Sequence, residues 1–137
     1  MRQITKRFSK GVDLKKAILE LAKEKDISAG VIICSVGSLS KAKFRLPVID
    51  NKPEYKELSG EMEILSINGR IAEKGSHAHL HIMIGLQDGT AVGGHLEEGC
   101  MINTTAEIVL LAFDDVRYYM VDDPETGYKE LSVEKLN

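Results

Sequence analysis

HAHLHIMIGLQDGTAVGGHL, residues 77–96, alternates polar and apolar side chains, turns at Asp88-Gly89, and returns. A period of two is the signature of a β-strand, whose successive side chains point to opposite faces. A strand through His77, His79 and His81 therefore puts all three imidazoles on one face, with Ala78, Leu80 and Ile82 on the other, toward a core. Residues i and i+2 on one face lie about 6–7 Å apart. If the return strand pairs with its predecessor, His95 comes back to the same face. These four are the only histidines of the 137-residue chain.

Working outward, residues 13–25 (DLKKAILELAKEK) carry Leu14, Ala17, Ile18, Leu21 and Ala22 at helical spacing, with Asp13 as N-cap. The apolar, β-branched run 29–39 (AGVIICSVGSL) reads as a buried strand. A second, weaker strand is expected over 42–48, and a loop or hairpin connection over 50–60. Residues 60–72 alternate again and contain Asn68-Gly69, a turn signal. Two further strands are expected at 104–113 and 116–121, followed by a turn at 122–128. No repeat or linker interrupts this order. The expectation is one domain over 1–137 of the α+β class, a largely antiparallel β-sheet flanked by helices.

Composition narrows the function classes. Hydrophobic residues make up 43% and aromatic ones 5%, without tryptophan, so aliphatic side chains must build the core. The net charge of -3 matches poorly to nucleic acid, whose non-specific affinity comes from Lys and Arg neutralising phosphates. No apolar run approaches the ~20 residues of a membrane helix. The N-terminus lacks the apolar stretch of a signal peptide. Cys34 and Cys100 form no CxxC, and Cys34 within VIICSV reads as buried. Together these point to a cytoplasmic protein.

The histidine cluster carries the chemistry. Neutral imidazole is the commonest metal ligand, and three histidines with an open position match a catalytic-type zinc site. The same cluster could instead form a polar or pH-sensitive sheet face. Glu97, Glu98 and Glu107 are candidates to hold a ring N–H, and Glu63 or Glu107 to act as a base. Cys100 reads as a buried thiol in preference to a fourth ligand. Gly93-Gly94 reads as a bulge or bend that aims His95, or as a place of close backbone approach. The phosphate-loop and dinucleotide-binding glycine patterns are absent.

Residues 79–110, HLHIMIGLQDGTAVGGHLEEGCMINTTAEIVL, resemble the signature of the plants and prokaryotes conserved (PPC) domain family: HxH, an aspartate-glycine turn, GGHL, a glycine, and a threonine-glutamate strand. GEMEILS (60–66), the KGVDL start, AGVIICSVGSL and the TGYKEL tail fit the same pattern, so the resemblance covers nearly the whole chain. Carried over by position, the family's histidines fall on His79, His81 and His95, and His77 stands outside the pattern. The resemblance implies a homotrimer and a metal, zinc, on these three histidines near a subunit interface. Plant members carry an AT-hook for DNA and use the domain for protein association. This chain has no Arg-Gly-Arg-Pro hook and is acidic, so it resembles the domain alone. Two readings follow: a regulatory or assembly module with a DNA or protein partner, or a metal-dependent enzyme or small-ligand binder. No catalytic residue is assigned.

Overall fold

The computed structural model describes residues 1–137. The elements run β1 (Arg2–Ser9), α1 (Leu14–Glu24), β2 (Ala29–Arg45), β3 (Tyr55–Ala72), β4 (His77–Gly85), β5 (Ala91–Leu96), β6 (Met101–Ala112), β7 (Val116–Asp122) and β8 (Lys129–Lys135). A 3-10 turn at Glu73–Gly75 joins β3 to β4. Every strand pairing is antiparallel, and one α-helix covers the sheet.

The main sheet has the order β1-β6-β2-β3-β4-β5, and β5 returns to pair with β2 at Phe44–Leu96 and Arg45–His95. Strands β2, β3, β4 and β5 thus form a closed ring. The free edge of β2 is divided: β6 takes residues 30–41 and β5 takes 44–45. Closure removes an exposed edge and wraps an apolar interior of Leu39, Phe44, Ile71, Leu80, Ile84, Leu96, Ile108 and Leu110, all essentially inaccessible. The five apolar residues of α1 are buried against this interior. Asp13 caps the helix, accepting the Lys16 N–H at 3.1 Å through Oδ1. Its other oxygen accepts the Gly99 N–H at 2.7 Å, which ties the helix start to the β5–β6 turn.

Three local expectations change. Residues 29–45 are one 17-residue strand, not two; bulges near Ile33 and Ser40 bend it, and it pairs with β3 on both sides of residues 33–36. Asn68-Gly69 is not a turn; it lies within β3. Gly69 has φ +146°, and a Cβ there would overlap the His79 carbonyl oxygen, so this glycine serves close strand approach. Cys34 is exposed. The bulge between Ile32 and Cys34 turns both Ile33 and Cys34 outward, so this apolar run is buried on one face only.

Gly69→Ala is expected to cost roughly 2 kcal/mol or more, since both its φ and its contacts oppose a side chain. Gly89→Ala, at a positive φ but in open space, should cost only about 1 kcal/mol. Thermal melts of both variants check this; equal small effects would contradict the packing of β3 on β4.

Candidate metal centre

Register builds the site. On the outer face of the ring, one cross-strand row runs Arg45–His95–His81–Asn68 over β2, β5, β4 and β3. The adjacent row runs His79–Arg70–Val31 over β4, β3 and β2. Leu80 and Ile82 point inward and are 1% and 3% exposed, so the alternation expected from the sequence holds. His95 reaches this row because β5 lies unusually near both neighbours. A Cβ on Gly93 would overlap the Ile82 carbonyl, and one on Gly94 would sit 2.5 Å from the Arg45 carbonyl oxygen. The pairing of β4 with β5 is regular, so the glycine pair acts through close approach and not through a bulge.

His79, His81 and His95 each offer a ring nitrogen, and these atoms lie within 4.8 Å of one another. His79 Nε2 and His81 Nε2 are 3.2 Å apart. Ligands at tetrahedral positions around one zinc, each 2.0–2.1 Å from the ion, are about 3.3 Å apart. One pair already has that separation, and the His95 nitrogen lies within 4.8 Å of both. Two imidazole nitrogens this close need a shared proton or a shared cation between their lone pairs. The donor set therefore fits a borderline metal such as zinc.

The electrostatics favour the unprotonated form of His79 and His95. Burial, followed by the Arg45 guanidinium and then His79, pushes the His95 pKa down to about 4. Burial, then His81 and Arg70, also lowers that of His79. Neutral imidazole is the form that binds metal. Glu97 and Glu130 partly oppose these shifts, at His95 and His79 respectively.

The remaining candidates fall elsewhere. His77 shares the outer face of β4 but not the converging set, and its buried Nδ1 has no hydrogen-bond partner. Glu63 lies five residues along β3 from Asn68, roughly 16 Å at ~3.3 Å per residue, and so does not reach the rings. Glu107 on β6, opposite Val36 and Arg7, is three strand spacings from β4, about 14 Å. Neither is placed to hold a histidine or serve as its base. Glu98 points to the helix and meets Lys16 Nζ at 3.4 Å. Cys100 is buried, donates to the Lys43 carbonyl oxygen at 3.2 Å, and has its pKa pushed up to about 11, chiefly by burial; it is a structural thiol. Sequence reasoning missed Arg45, Arg70 and Glu130. None carries a motif, and only the register brings them together.

The sign of the pH effect follows from the lowered histidine values. Between the ordinary histidine value near ~6.5 and about 4 for His95, the unfolded chain binds more protons than the folded one, so stability falls as pH falls. Denaturant midpoints of metal-free protein should decrease from pH 7 to pH 5, with a shallower slope in His95→Gln. A midpoint that rises over that interval would contradict the neutral assignment.

Residues 1–114 match the model of the Plants and Prokaryotes Conserved (PCC) domain. The chain is 41% identical over 130 residues, 95% of its length, to the bifunctional protein GlmU of Synechococcus sp. (strain JA-3-3Ab), but spans only about one fifth of the curated relatives it matches. Among solved structures, it superposes on a hypothetical protein from Salmonella cholerae-suis with a TM-score of 0.90, at 24% identity and covering 98% of this chain and 94% of that one. A metal-containing protein from Archaeoglobus fulgidus is 28% identical, with a TM-score of 0.82, covering 95% and 92% of the two chains. On the family match and the shared fold, the chain belongs to the Plants and Prokaryotes Conserved (PCC) domain family, abbreviated PPC above.

Proposed function

We propose that this PCC-domain protein is a homotrimeric zinc-binding module that captures a small ligand at the metal. The observation that carries the reading is the convergence of three imidazole nitrogens on one point of an open sheet face. The similarity to a metal-containing archaeal protein supports it. Zinc held by three histidines supplies a Lewis-acid centre with coordination left for a ligand. The chain's part is to favour the neutral form of His79 and His95, through burial and the neighbouring arginines, and to fix the ring spacing through the strand register. In the enzymatic version of this reading, Glu130 and Glu97 are the carboxylates near the histidines, in place of Glu63 and Glu107. The free thiols of Cys34 and Cys100 suit a reducing cytoplasm.

Self-association is favoured by the outer face beside the histidines. Ile33, Val36, Leu65 and Met83 are 55%, 48%, 52% and 49% exposed. They form an apolar surface across β2, β3 and β4, a kind of patch that marks an interaction site. Closed cyclic symmetry buries such a surface in every copy, and the family resemblance implies three copies. A DNA partner has less support, because a net charge of -3 gives no general attraction to the phosphate backbone.

Elemental analysis should find about one zinc per chain in wild type and a strongly reduced content in His79→Ala; equal content in both would contradict the ligand assignment. Light scattering should give about three times the 15.1 kDa chain mass, and Val36→Glu should yield monomers. A monomeric wild type would overturn the trimer. A gel shift with AT-rich and random duplexes at low salt, where phosphate attraction is strongest, should show no retardation; a clear shift would restore the DNA reading.

A further inference from the structure

Two of the three histidines, His79 and His95, line a cleft of about 780 Å³ whose walls also include Arg45, Arg70, Tyr55 and Glu130. The volume lies within the range of small-molecule sites. The two arginines are there by register: Arg45 is the direct cross-strand neighbour of His95, and Arg70 that of His79. Directly opposed residues have Cβ atoms only about 4.5–5.5 Å apart. Each arginine therefore stands next to a proposed metal ligand, on opposite sides of the triad.

Neither guanidinium is well satisfied. The side chain of Arg70 donates only to the Met120 sulfur, at 3.5 Å, and a thioether is a weak acceptor. Arg45 comes no closer than 3.9 Å to Glu97, which Lys15 already engages at 3.3 Å. Both arginines are partly buried, where an unpaired charge is costly. His77 also lines the cleft, and its buried Nδ1 has no hydrogen-bond partner. The cleft's other charges are Lys129, paired with Asp122 at 3.0 Å, and Glu130. Among the cleft's lining residues, three cations (Arg45, Arg70 and Lys129) stand against one carboxylate, Glu130. A guanidinium fork matches the two oxygens of a carboxylate or phosphate in plane.

We infer that the cleft beside the histidine triad is a receptor for a small oxyanion, a carboxylate or a phosphate, gripped by Arg45 and Arg70. This deepens the zinc reading by naming the ligand class of the same site, and it rests on that reading only for the ion. The oxyanion bridges the two arginine rows and presents the rest of the molecule to the metal.

Calorimetric titration with malonate and with inorganic phosphate tests it, on zinc-treated and metal-free protein, with zinc content measured on the same samples. Wild type should bind at least one of the two anions. Arg45→Gln and Arg70→Gln should each weaken binding about tenfold or more, the scale of one charge-assisted hydrogen bond, with zinc content unchanged. The double variant should show no binding. Arg70→Lys keeps the charge and loses the fork, so it should fall between wild type and Arg70→Gln; it also serves if the glutamine variant fails to fold. Preference for malonate identifies a carboxylate ligand, and preference for phosphate a phosphate ligand. Absence of binding to both protein forms, or full binding by the double variant, overturns the inference. If wild type takes up no zinc, the metal reading fails alone, and the metal-free titration still decides the oxyanion site by the same outcomes.

Discussion

The backbone of β5 is held so near its two neighbours that neither Gly93 nor Gly94 has room for a side chain. Much of the rest depends on this contact. It lets a six-residue strand bridge β4 and the far end of β2, and so closes the ring. It sets His95 directly opposite His81 and Arg45 directly opposite His95. A side chain at either glycine would push β5 outward, open the ring and separate the third imidazole from the other two.

Closure also separates the two chemistries of one strand. The inward residues of β4 complete an aliphatic core, while its outward residues present imidazoles to an open face. Because core packing fixes the strand, the histidines are positioned by burial of their neighbours and not by mutual attraction. Three imidazoles in contact repel once protonated. Burial first, and the Arg45 charge after it, keep His95 neutral well below the usual histidine range. The same arginines that keep the rings available to a cation leave the surrounding cleft attractive to an anion.

Period and punctuation revealed part of this. The two-residue period of 77–85, the Asp88-Gly89 turn and the apolar spacing of 14–22 reflect local geometry, and they recur in β4, β5 and α1 as expected. Features set by tertiary contact were not legible. β1 and β8 are largely polar strands, and they exist because β6 and β7 offer them partners. Asn68-Gly69 looks like a turn because its glycine is permissive, yet the strand continues and the glycine admits the His79 carbonyl. The apolar run around Cys34 suggested burial on both faces, while one face remains outside. Glu63 and Glu107 looked suitable only by residue type; strand order separates them from the triad. Arg45 and Arg70 lie 25 residues apart in sequence, and their common setting appears only with the register.

The central claim is that ring closure makes His79, His81 and His95 one ligand set. The X-ray absorption spectrum of zinc-loaded protein at the zinc edge tests it most directly. Three imidazole nitrogens and one non-protein oxygen at about 2.0 Å is the predicted result. A sulfur shell near ~2.3 Å, or fewer than three imidazoles, would contradict it.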